Sequence, residues 1–466
     1  MAEYEEWDID KVDEVLRLGS PTTKIPAYFV WFVTIAIWAV GIYAIYKAVL
    51  GELALLAIVF TSLAQVLSQV FNIVVIFSLL VLLVAIVGSY LLLYLIKVAA
   101  RIVLLLILFV MPISIISLGV LLAALGAIMY AAILWIVGGM FLLFVIYKRA
   151  RISLAGRAMQ LSAQAILDEK GTLLAMFLAG IFGLFTFITL SFASMYVGDL
   201  VYSMTDNSDY GMYAAFIVFF LGSWSIGFFN YLMNATVARI IHDWYRSPKK
   251  DVASFSKGLK KALKVQGGIA LYALLMVTFR FIVEYLRGRR REKSLVAVVA
   301  AAVAEVAESI IRLITIYAIP AMVIRETGFK SGIKDSFSKL KDLFIETLAG
   351  SYGFGYVLAI FGFIIMIFYG AVGYILGVYV IYPFIVNYIP SIVSSVVGLI
   401  SGLGFIFIGL IPTIIIFNAL GIAFITILYE FGLDIEFRKK GIMLPYRLPE
   451  DIRMEFEKVL ASRGIV

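Results

Sequence analysis

Aromatic side chains recur at helical spacing near the middle of the chain. Trp224, Phe228 and Tyr231 are four and three residues apart, so one face of a helix carries all three rings. Tyr272 and Tyr317 belong to neighbouring apolar segments. A quaternary ammonium ion cannot donate hydrogen bonds, and aromatic ring faces hold such an ion through their quadrupoles. These five residues therefore form a candidate site for an organic cation, provided that a carboxylate lies nearby.

Glu305 and Glu308 are the candidate carboxylates. Together with Arg312 they lie at positions i, i+3 and i+7, which places all three on one face of a helix. Ionisable side chains are costly within a membrane, so they are functional candidates there. Glu308 and Arg312 also form an i,i+4 charge pair. If this helix extends beyond the bilayer, the three side chains are merely solvated, and the sequence leaves both interpretations open.

Small and polar residues form a stripe beside these rings. Ser223, Gly227, Asn230, Asn234 and Ala238 follow helical spacing on the same predicted helix as Trp224. Such a stripe either packs closely against another helix, with the amides as interhelical hydrogen-bonding groups, or lines a cavity. Asn230 and Asn234 are therefore included in the candidate cation site. A second stripe, Gly370, Gly373 and Gly377, has no polar partner, and we expect it to pack against a helix.

The composition indicates what surrounds these residues. Of the 466 residues 63% are hydrophobic and 15% charged, and the mean hydropathy is +1.06, whereas soluble domains have roughly half apolar and a quarter charged residues. The chain is therefore predicted to be a polytopic membrane protein. It has no cysteine, and His242 is its single histidine, so thiolate and histidine metal sites are excluded. We expect no cofactor and no metal.

Apolar runs long enough to cross a bilayer, about 20 residues, recur from residue 27 to residue 430. We predict an all-α bundle of about ten transmembrane helices, preceded by an acidic cytoplasmic tail (1–24) and followed by a cytoplasmic tail (433–466), with the transmembrane domain at 25–432. The predicted helices are 27–50, 71–97, 102–124, 126–147, 171–197, 212–241, 264–286, 295–323, 352–381 and 403–430.

Lys and Arg in short loops favour the cytoplasm and predict the orientation. Alternate loops, including the one with Lys97 and Arg101, are basic, while 51–70, 198–211 and 382–402 contain no Lys or Arg. Both termini are thus predicted to be cytoplasmic. The stretch "RGRRREK" (287–293) is the exception, since alternation places it outside. Either 264–323 is a true hairpin that crosses twice, or it is a re-entrant pair with a cytoplasmic tip.

Three basic connectors resemble one another, at 151–185, 251–279 and 326–358. Each places an amphipathic helix before a Gly-containing elbow and the next span. Basic amphipathic helices of this kind lie in the headgroup layer with their cations toward anionic lipid. We expect these cytoplasmic elbow helices to anchor the bundle, with a gating role as the alternative. Membrane lipids are accordingly the expected partners.

The segment order resembles the choline transporter-like family of solute carriers, in a prokaryotic-type form without a large extracellular loop. The similar stretches are "LFVIYKRARISLAGRAMQLSAQAI", with its Lys148, Arg149, Arg151 and Ile152, "MNATVARIIHDWYR", and "IYAIPAMVIRETGFKSGIKDSFSKL", in which Tyr317 matches the tyrosine of a family motif. The last stretch also resembles uncharacterised prokaryotic multi-pass families. The resemblance implies about ten crossings, both termini inside, and transport of a choline-like solute.

Two functions remain open at this point. The first is a facilitative or secondary transporter of a small organic cation such as choline or ethanolamine, working by alternating access in the cell membrane. The second is a non-transporting lipid-binding or scaffold membrane protein. An enzyme is not expected, because the sequence contains no phosphate-binding loop, nucleophile elbow or paired histidine ligands. Nucleic acid is not an expected partner either, since no soluble basic surface surrounds "RGRRREK". The sequence does not predict the oligomeric state.

Overall fold

A computed structural model describes residues 9–51, 54–247, 253–289, 295–386, 393–446 and 450–461, and all regular secondary structure in these ranges is helical. The helices are α1 (Ile9–Leu16), α2 (Ile25–Gly51), α3 (Ala54–Ala124), α4 (Ile128–Tyr147), α5 (Arg149–Asp168), α6 (Gly171–Thr205), α7 (Ser208–Arg246), α8 (Phe255–Lys264), α9 (Gln266–Arg289), α10 (Leu295–Ile314), α11 (Ala318–Ile324), α12 (Phe329–Leu376), α13 (Tyr382–Ile385), α14 (Ser394–Lys439) and α15 (Glu450–Ala461). A π-helical turn at Gly377–Ile381 follows α12.

The chain divides into two compact units. Unit 1 comprises residues 1–63 and 169–341, and unit 2 comprises residues 64–168 and 342–466. All nine residues of the predicted cation site belong to unit 1. The domain bounds that were predicted from the sequence stay predictions.

Nine helical stretches of the described residues are long and apolar enough to cross a membrane. Their outer surfaces require an apolar solvent, because large side chains such as Phe32 and Phe407 are 71% and 70% exposed. A soluble protein does not present apolar surface on this scale. The prediction of a polytopic all-α membrane bundle is confirmed, while the orientation of the termini stays a prediction.

The predicted second and third spans are one helix, which accounts for nine stretches where ten were predicted. The predicted loop at 98–101 is wrong, because α3 continues without a break from Ala54 to Ala124. Residues 97–101 contain neither glycine nor proline, so nothing in the local sequence interrupts the helix. Packing supports its continuation, since Arg101 lies directly against Gly156 of α5, and Gln160 donates a hydrogen bond to the carbonyl of Val98 at 3.0 Å.

Other helix boundaries in the structure also differ from the predicted ones. The described part of the predicted outer loop 51–70 is helical from residue 54 onward. The predicted helix 295–323 consists of α10 and α11, which are separated by a turn at Thr315–Tyr317. The third predicted elbow is continuous with the span that follows it, with non-helical backbone angles at Leu343 inside α12. Residues 290–293 of "RGRRREK", Ser294 and residues 387–392 lie outside the described residues.

Glycines allow the helices of unit 1 to pack closely. A Cβ at Gly41 of α2 would overlap the carbonyl of Thr189 on α6, and a Cβ at Gly222 of α7 would overlap the side chain of Leu190 on α6. Gly198 and Gly211 make a third close approach, between α6 and α7. Since lipid is as apolar as the side chains, such close van der Waals packing is what holds membrane helices together.

Glycines also allow close helix packing in unit 2. A Cβ at Gly373 would lie 2.9 Å from Gly402 Cα, and a Cβ at Gly377 would lie 2.7 Å from Gly398 Cα. The prediction that this glycine stripe packs against a helix is therefore confirmed, and the partner is α14. A hydrogen bond of 3.0 Å between the hydroxyls of Ser89 on α3 and Thr413 on α14 adds a polar contact within this unit.

Two of the predicted elbow helices differ in their surroundings. Helix α8 buries Gly258 and Ala262 and exposes Lys257, Lys260 and Lys264, as expected of a basic helix that lies on headgroups. Most residues of α5 are instead buried against protein, from Ile152 to Ile166. Its small residues, among them Gly156, let it pack closely inside unit 2, and its position in the headgroup layer stays a prediction.

Helices α9 and α10 pack against each other as the predicted pair. The candidate spans in this region are Gln266–Gly288 and Ala302–Ile324, judged by length and composition. Arg287 near the tip of the pair donates hydrogen bonds to Glu284 at 2.9 Å and to Glu305 at 3.1 Å. Both spans are thus long enough for a hairpin, and whether the pair crosses the bilayer stays a prediction.

A stability measurement tests the glycine packing. We expect Gly41→Ala to lower the thermal midpoint in detergent, because forcing an extra methyl into a tight contact costs about 1–3 kcal/mol. Gly180→Ala on α6 is the matched control, since a Cβ there meets nothing within 4 Å and alanine is the better helix former. Equal midpoints for the two variants would contradict the close approach of α2 and α6.

Cysteine labelling tests the hairpin. The chain has no cysteine, so a single Gly288→Cys or Ser208→Cys substitution reports one position. We expect an impermeant maleimide to label both on intact cells, because both lie at ends that the charge pattern places outside. Labelling at Ser208→Cys alone would show a re-entrant pair with a cytoplasmic tip.

Candidate substrate site

Aromatic rings from three helices of unit 1 meet around Trp31 of α2. The ring centroid of Trp31 lies 5.7 Å from Phe228, 6.3 Å from Phe229 and 6.4 Å from Phe182, each at a nearly perpendicular angle. Phe182 of α6 and Phe229 of α7 stack at 3.6 Å. This set, Trp31, Phe182, Phe228 and Phe229, is called the ring cluster below. Edge-to-face and stacked pairs of this kind stabilise each other beyond simple burial.

Hydrogen bonds fix the indole of Trp31, within the ring cluster, and that of Trp224, which lies on the same helix as Phe228. Trp31 Nε1 donates to Gln266 Oε1 at 3.4 Å, and Trp224 Nε1 donates to the carbonyl of Ala270 at 2.9 Å. Both acceptors belong to the first two turns of α9. Trp224 is 7% exposed, and its ring lies 5.8 Å from Phe29 of α2. The start of α9 therefore sets the orientation of both tryptophans.

Two of the predicted site tyrosines form a pair. The rings of Tyr231 on α7 and Tyr272 on α9 lie 4.8 Å apart at an angle of 74°. The hydroxyl of Tyr272 is 3.3 Å from Thr315 Oγ1, at the end of α10. Tyr272 is 6% exposed. The structure thus places Tyr272 of α9 against Tyr231 of α7, the helix that also carries Trp224 and Phe228.

The two predicted carboxylates have different surroundings. Glu308 accepts a hydrogen bond from Arg312 at 2.6 Å, and its side chain is 17% exposed. Glu305 pairs with Arg287, and its side chain is 40% exposed. Ten helical residues separate Glu305 from Thr315, which corresponds to about 15 Å. Glu308 is therefore the carboxylate nearer to the tyrosine pair, and Glu305 belongs to the tip of the helical pair.

The remaining predicted residues are Asn230, Asn234 and Tyr317. Asn230 is exposed and Asn234 is partly buried. Gly227 of the same stripe faces α9, because a Cβ there would lie 3.2 Å from Val277. Tyr317 is fully buried before α11, where its backbone N–H donates to Ser336 Oγ at 3.0 Å. Its role in a cation site stays a prediction, as do those of Asn230 and Asn234.

Sequence reasoning missed three of the four members of the ring cluster, Trp31, Phe182 and Phe229. Trp31 and Phe182 come from α2 and α6, and neither shows a local pattern that separates it from the many other aromatic residues of the chain. The gap of 151 residues between them is bridged only by tertiary packing. The close glycine contact of α2 and α6 could have suggested that these helices are neighbours, but not which rings meet.

Sequence reasoning also missed a buried charge network at one end of unit 1. Asp13 of α1 accepts hydrogen bonds from Arg239 at 2.6 Å and from Lys261 at 2.8 Å, and His242 Nε2 lies 3.4 Å from its other oxygen. Arg239 also pairs with Asp243 at 2.8 Å. This set of five is called the Asp13 network. Burial opposes the charged form of Asp13, but hydrogen bonds from His242 and Arg239 outweigh it and hold the pKa of Asp13 well below its usual range.

Glu326 continues this network. Lys261 and Lys264 donate to one of its oxygens at 2.9 and 3.3 Å, and Arg17 donates to the other at 3.0 Å. Burial opposes its ionisation, but the hydrogen bond from Lys261 outweighs it, so the pKa of Glu326 is lowered. Its backbone φ of 44° is in the left-handed region, which is uncommon for a residue other than glycine. The charge contacts of Glu326 therefore hold a strained turn.

The fold and the side-chain contacts define the class of protein. A helical bundle with lipid-facing spans, interhelical rings and charge networks at its ends is a polytopic membrane protein. A comparison with protein families matches residues 132–436 to the family described as plasma-membrane choline transporter. The match covers more than half of the chain, so the chain belongs to this family. No protein of curated function matches it.

Family membership has plain consequences. The family is one of membrane transporters and not of enzymes, and it implies a lipid environment and a small-molecule substrate. The matched region contains all nine predicted site residues, eight of them on α7, α9 and α10 and Tyr317 immediately before α11. It does not contain α1, α2 or the segment between them, and therefore excludes Asp13, Arg17 and Trp31.

The lowered pKa of Glu326 predicts how stability depends on pH. Its contribution is fully present above the ordinary carboxyl pKa of 4.5 and is lost as the pH falls through the folded value. We expect Glu326→Gln to lower the thermal midpoint by several degrees at pH 7, because it weakens charged hydrogen bonds worth about 1–3 kcal/mol. The difference from wild type should be constant between pH 6 and 8 and shrink below pH 4.5.

Glu284→Gln serves as the control for this prediction. Glu284 pairs with Arg287 but is 59% exposed, and exposed pairs contribute about 0–1 kcal/mol. A Glu326→Gln midpoint equal to that of Glu284→Gln at pH 7 would contradict the stabilising role of the network.

Proposed function

We propose that this protein transports a small organic cation of the choline or ethanolamine type across the membrane. The single observation that carries the proposal is the group of rings in mutual contact on α2, α6, α7 and α9, in a chain that belongs to the plasma-membrane choline transporter family. A methylated ammonium group offers no hydrogen-bond donor, so ring faces are the groups that can select it. Tryptophan has the strongest quadrupole, which favours Trp31 and Trp224 as principal contacts.

The tyrosine pair has a further role in this proposal. Choline and ethanolamine each carry one hydroxyl group, which needs a polar partner once it leaves water. Tyr272 and Thr315 already share a hydroxyl contact of 3.3 Å, so either hydroxyl can exchange its partner for that of the substrate. In the proposal, Trp31, Trp224, Phe228 and Tyr231 bind the ammonium end and Tyr272 binds the hydroxyl end.

Charge balance favours Glu308 as the acidic group of the site. A cation loses hydration energy inside the membrane and requires a compensating negative charge. Glu308 now compensates Arg312 at 2.6 Å, and a shift of the exposed Arg312 side chain toward solvent would release the carboxylate. Glu305 is a weaker candidate, since it is more exposed and is bound to Arg287.

The rings contact one another directly, and this arrangement motivates alternating access. Phe182 and Phe229 stack at 3.6 Å, which leaves no space for an ion between them. A substrate therefore has to separate rings that belong to different helices. In the proposed cycle, α2 and α6 move relative to α7 and α9, so that the rings part toward one side of the membrane at a time.

A second function, lipid binding without transport, is favoured by one observation in unit 2. A cavity of about 230 Å³ there has an entirely apolar lining, which suits an acyl chain and not a hydrated solute. Its walls come from Leu108, Met111, Phe141, Phe144, Val145, Ile152, Leu348 and Ala349. This alternative concerns a different part of the chain from the rings.

Uptake of radiolabelled choline and ethanolamine into proteoliposomes tests the proposal. We expect Trp31→Ala and Tyr231→Ala to lower uptake efficiency about tenfold or more, which corresponds to about 1.4 kcal/mol and is within the range of a buried cation–ring contact. Glu308→Gln should act in the same direction, whereas Glu305→Gln should have a smaller effect.

Phe32→Ala is the matched control, because Phe32 follows Trp31 on α2 but is 71% exposed. Its uptake should equal that of wild type. Uptake no greater than that of empty liposomes for every cation, together with a lipid retained in native mass spectrometry, would contradict transport and support the lipid-binding alternative.

A further inference from the structure

The segment before the first span crosses one end of unit 1. Residues 9–24, here called the N-terminal strap, comprise α1 and the extended stretch up to α2. The strap contacts the end of α7, helix α8, the start of α9 and the turn between α11 and α12. The charge pattern predicts that this end of unit 1 faces the cytoplasm, because α8 alone carries Lys257, Lys260, Lys261 and Lys264.

Charged side chains provide the first set of strap contacts. Asp13 joins Arg239 of α7 to Lys261 of α8, and Arg17 binds Glu326 in the turn between α11 and α12. Arg239 and Asp13 are 2% and 5% exposed. Three elements that are distant in sequence are therefore connected through two side chains of the strap.

Backbone contacts provide a second set. Arg325 Nε donates to the carbonyl of Leu16 at 3.0 Å, and the N–H of Leu18 donates to the carbonyl of Arg325, also at 3.0 Å. Asp335 holds the guanidinium of Arg325 at 2.8 Å. Further along the strap, Thr22 Oγ1 accepts from the N–H of Phe329 at 2.9 Å. The strap is thus paired with the turn between α11 and α12 and with the first residue of α12.

Two glycines allow the strap to lie this close. A Cβ at Gly267, in the first turn of α9, would overlap the carbonyl of Thr23. A Cβ at Gly328 would lie 3.1 Å from Thr22 Oγ1 and 3.2 Å from the carbonyl of Ser20. An alanine at Gly267 leaves every charged contact in place and still has no room unless the strap moves away.

The strap is held mostly by polar contacts. Its buried apolar side chains are Val12 and Leu16, both fully covered, while Asp13, Arg17 and Thr22 contribute ion pairs and hydrogen bonds. Buried ion pairs contribute little net stability, because the desolvation of both partners offsets their attraction. When the strap leaves, water rehydrates the same charges. Such a segment can detach at moderate cost, whereas a large apolar interface could not.

Two helices that the strap contacts, α7 and α9, also carry residues of the proposed substrate site. Gly267 precedes Ala270, the acceptor of Trp224, by three residues and precedes Tyr272 by five, which is about 8 Å along α9. Arg239 follows Tyr231 by eight residues on α7, or about 12 Å. A movement that separates the ends of α7 and α9 would therefore change the distance between Tyr231 and Tyr272.

We propose that the N-terminal strap is a reversible latch, which holds the ends of α7, α8, α9 and α12 together and must detach before this end of unit 1 can open. The inference rests on the proposed transport function for its consequence, and on the strap contacts alone for the latch itself. The strap lies outside residues 132–436, the region that matches the family.

A disulfide tests the consequence of the latch. Because the chain has no cysteine, the double variant Thr22→Cys and Gly328→Cys can form only one intramolecular bond, and the two positions are close enough for disulfide geometry. We expect oxidation to lower choline uptake at least tenfold and dithiothreitol to restore it. The two single variants should be insensitive to both reagents. An oxidised double variant that transports at the wild-type rate would overturn the latch.

Labelling of Val12→Cys tests detachment without any substrate. Val12 is fully covered in the docked strap, so maleimide reacts with its replacement only when the strap detaches. We expect Gly267→Ala and Asp13→Asn to raise the labelling rate at least fivefold in otherwise intact protein. Gly288→Ala on the same helix is the control, since a Cβ there meets nothing within 4 Å. Equal rates in all these variants would overturn the latch.

The uptake and labelling measurements together distinguish a failure of the latch proposal from a failure of the transport proposal. If no variant transports any cation while Gly267→Ala still accelerates labelling, the latch stands and the proposed transport function fails. If uptake is normal in the oxidised double variant, transport stands and the latch fails. Gly267→Ala keeps all charged groups, so a loss of folding in Asp13→Asn alone leaves the labelling test intact.

Discussion

The buried guanidinium of Arg239 constrains the architecture of unit 1. It is 2% exposed near the end of a helix long enough to span the membrane, and a positive charge in such a position requires nearby negative partners. Asp243, one turn further along α7, supplies one of them. The second is Asp13, 226 residues earlier in the chain, so the docked strap supplies part of the negative charge that compensates Arg239. The positions of α8 and of the turn at Glu326 follow, because Lys261 binds both Asp13 and Glu326.

The same helices carry the rings, which connects the charged end of unit 1 to its apolar interior. Helix α7 presents Arg239 and Asp243 at one end, then Tyr231, and then Phe228 and Trp224 toward its middle. Helix α9 begins at the strap, and its second turn accepts the hydrogen bond of Trp224. A proposed cation site and a proposed latch therefore share two rigid elements. Coupling between them needs only that these elements have two arrangements, which is the physical requirement for a gated transporter.

Much of the fold was predictable, for reasons that particular segments make clear. Apolar length located α2, α4, α6, α7 and α9 to within a few residues at most ends, because a bilayer requires about 20 apolar residues whatever the tertiary structure. The break predicted at Lys97 and Arg101 was wrong, because charge was taken as the sign of a loop. Those residues are good helix formers, and α5 packs beside them through Gly156. The glycine stripe of Gly373 and Gly377 was predictable as a packing surface, although its partner, α14, was not.

The candidate site was predictable only where its residues share a helix. Spacing along α7 was enough to place Trp224, Phe228 and Tyr231 on one face, and the sequence by itself determined the membrane class, the helical spans and the asymmetry of basic residues. Only the tertiary structure decided that Trp31 and Phe182 join these rings, that Tyr272 pairs with Tyr231, and that an acidic tail provides the partner of Arg239. The physical reason is that hydropathy and helical period are local properties of the chain. Contacts between residues hundreds of positions apart depend on which helices pack together and in which rotation about their axes.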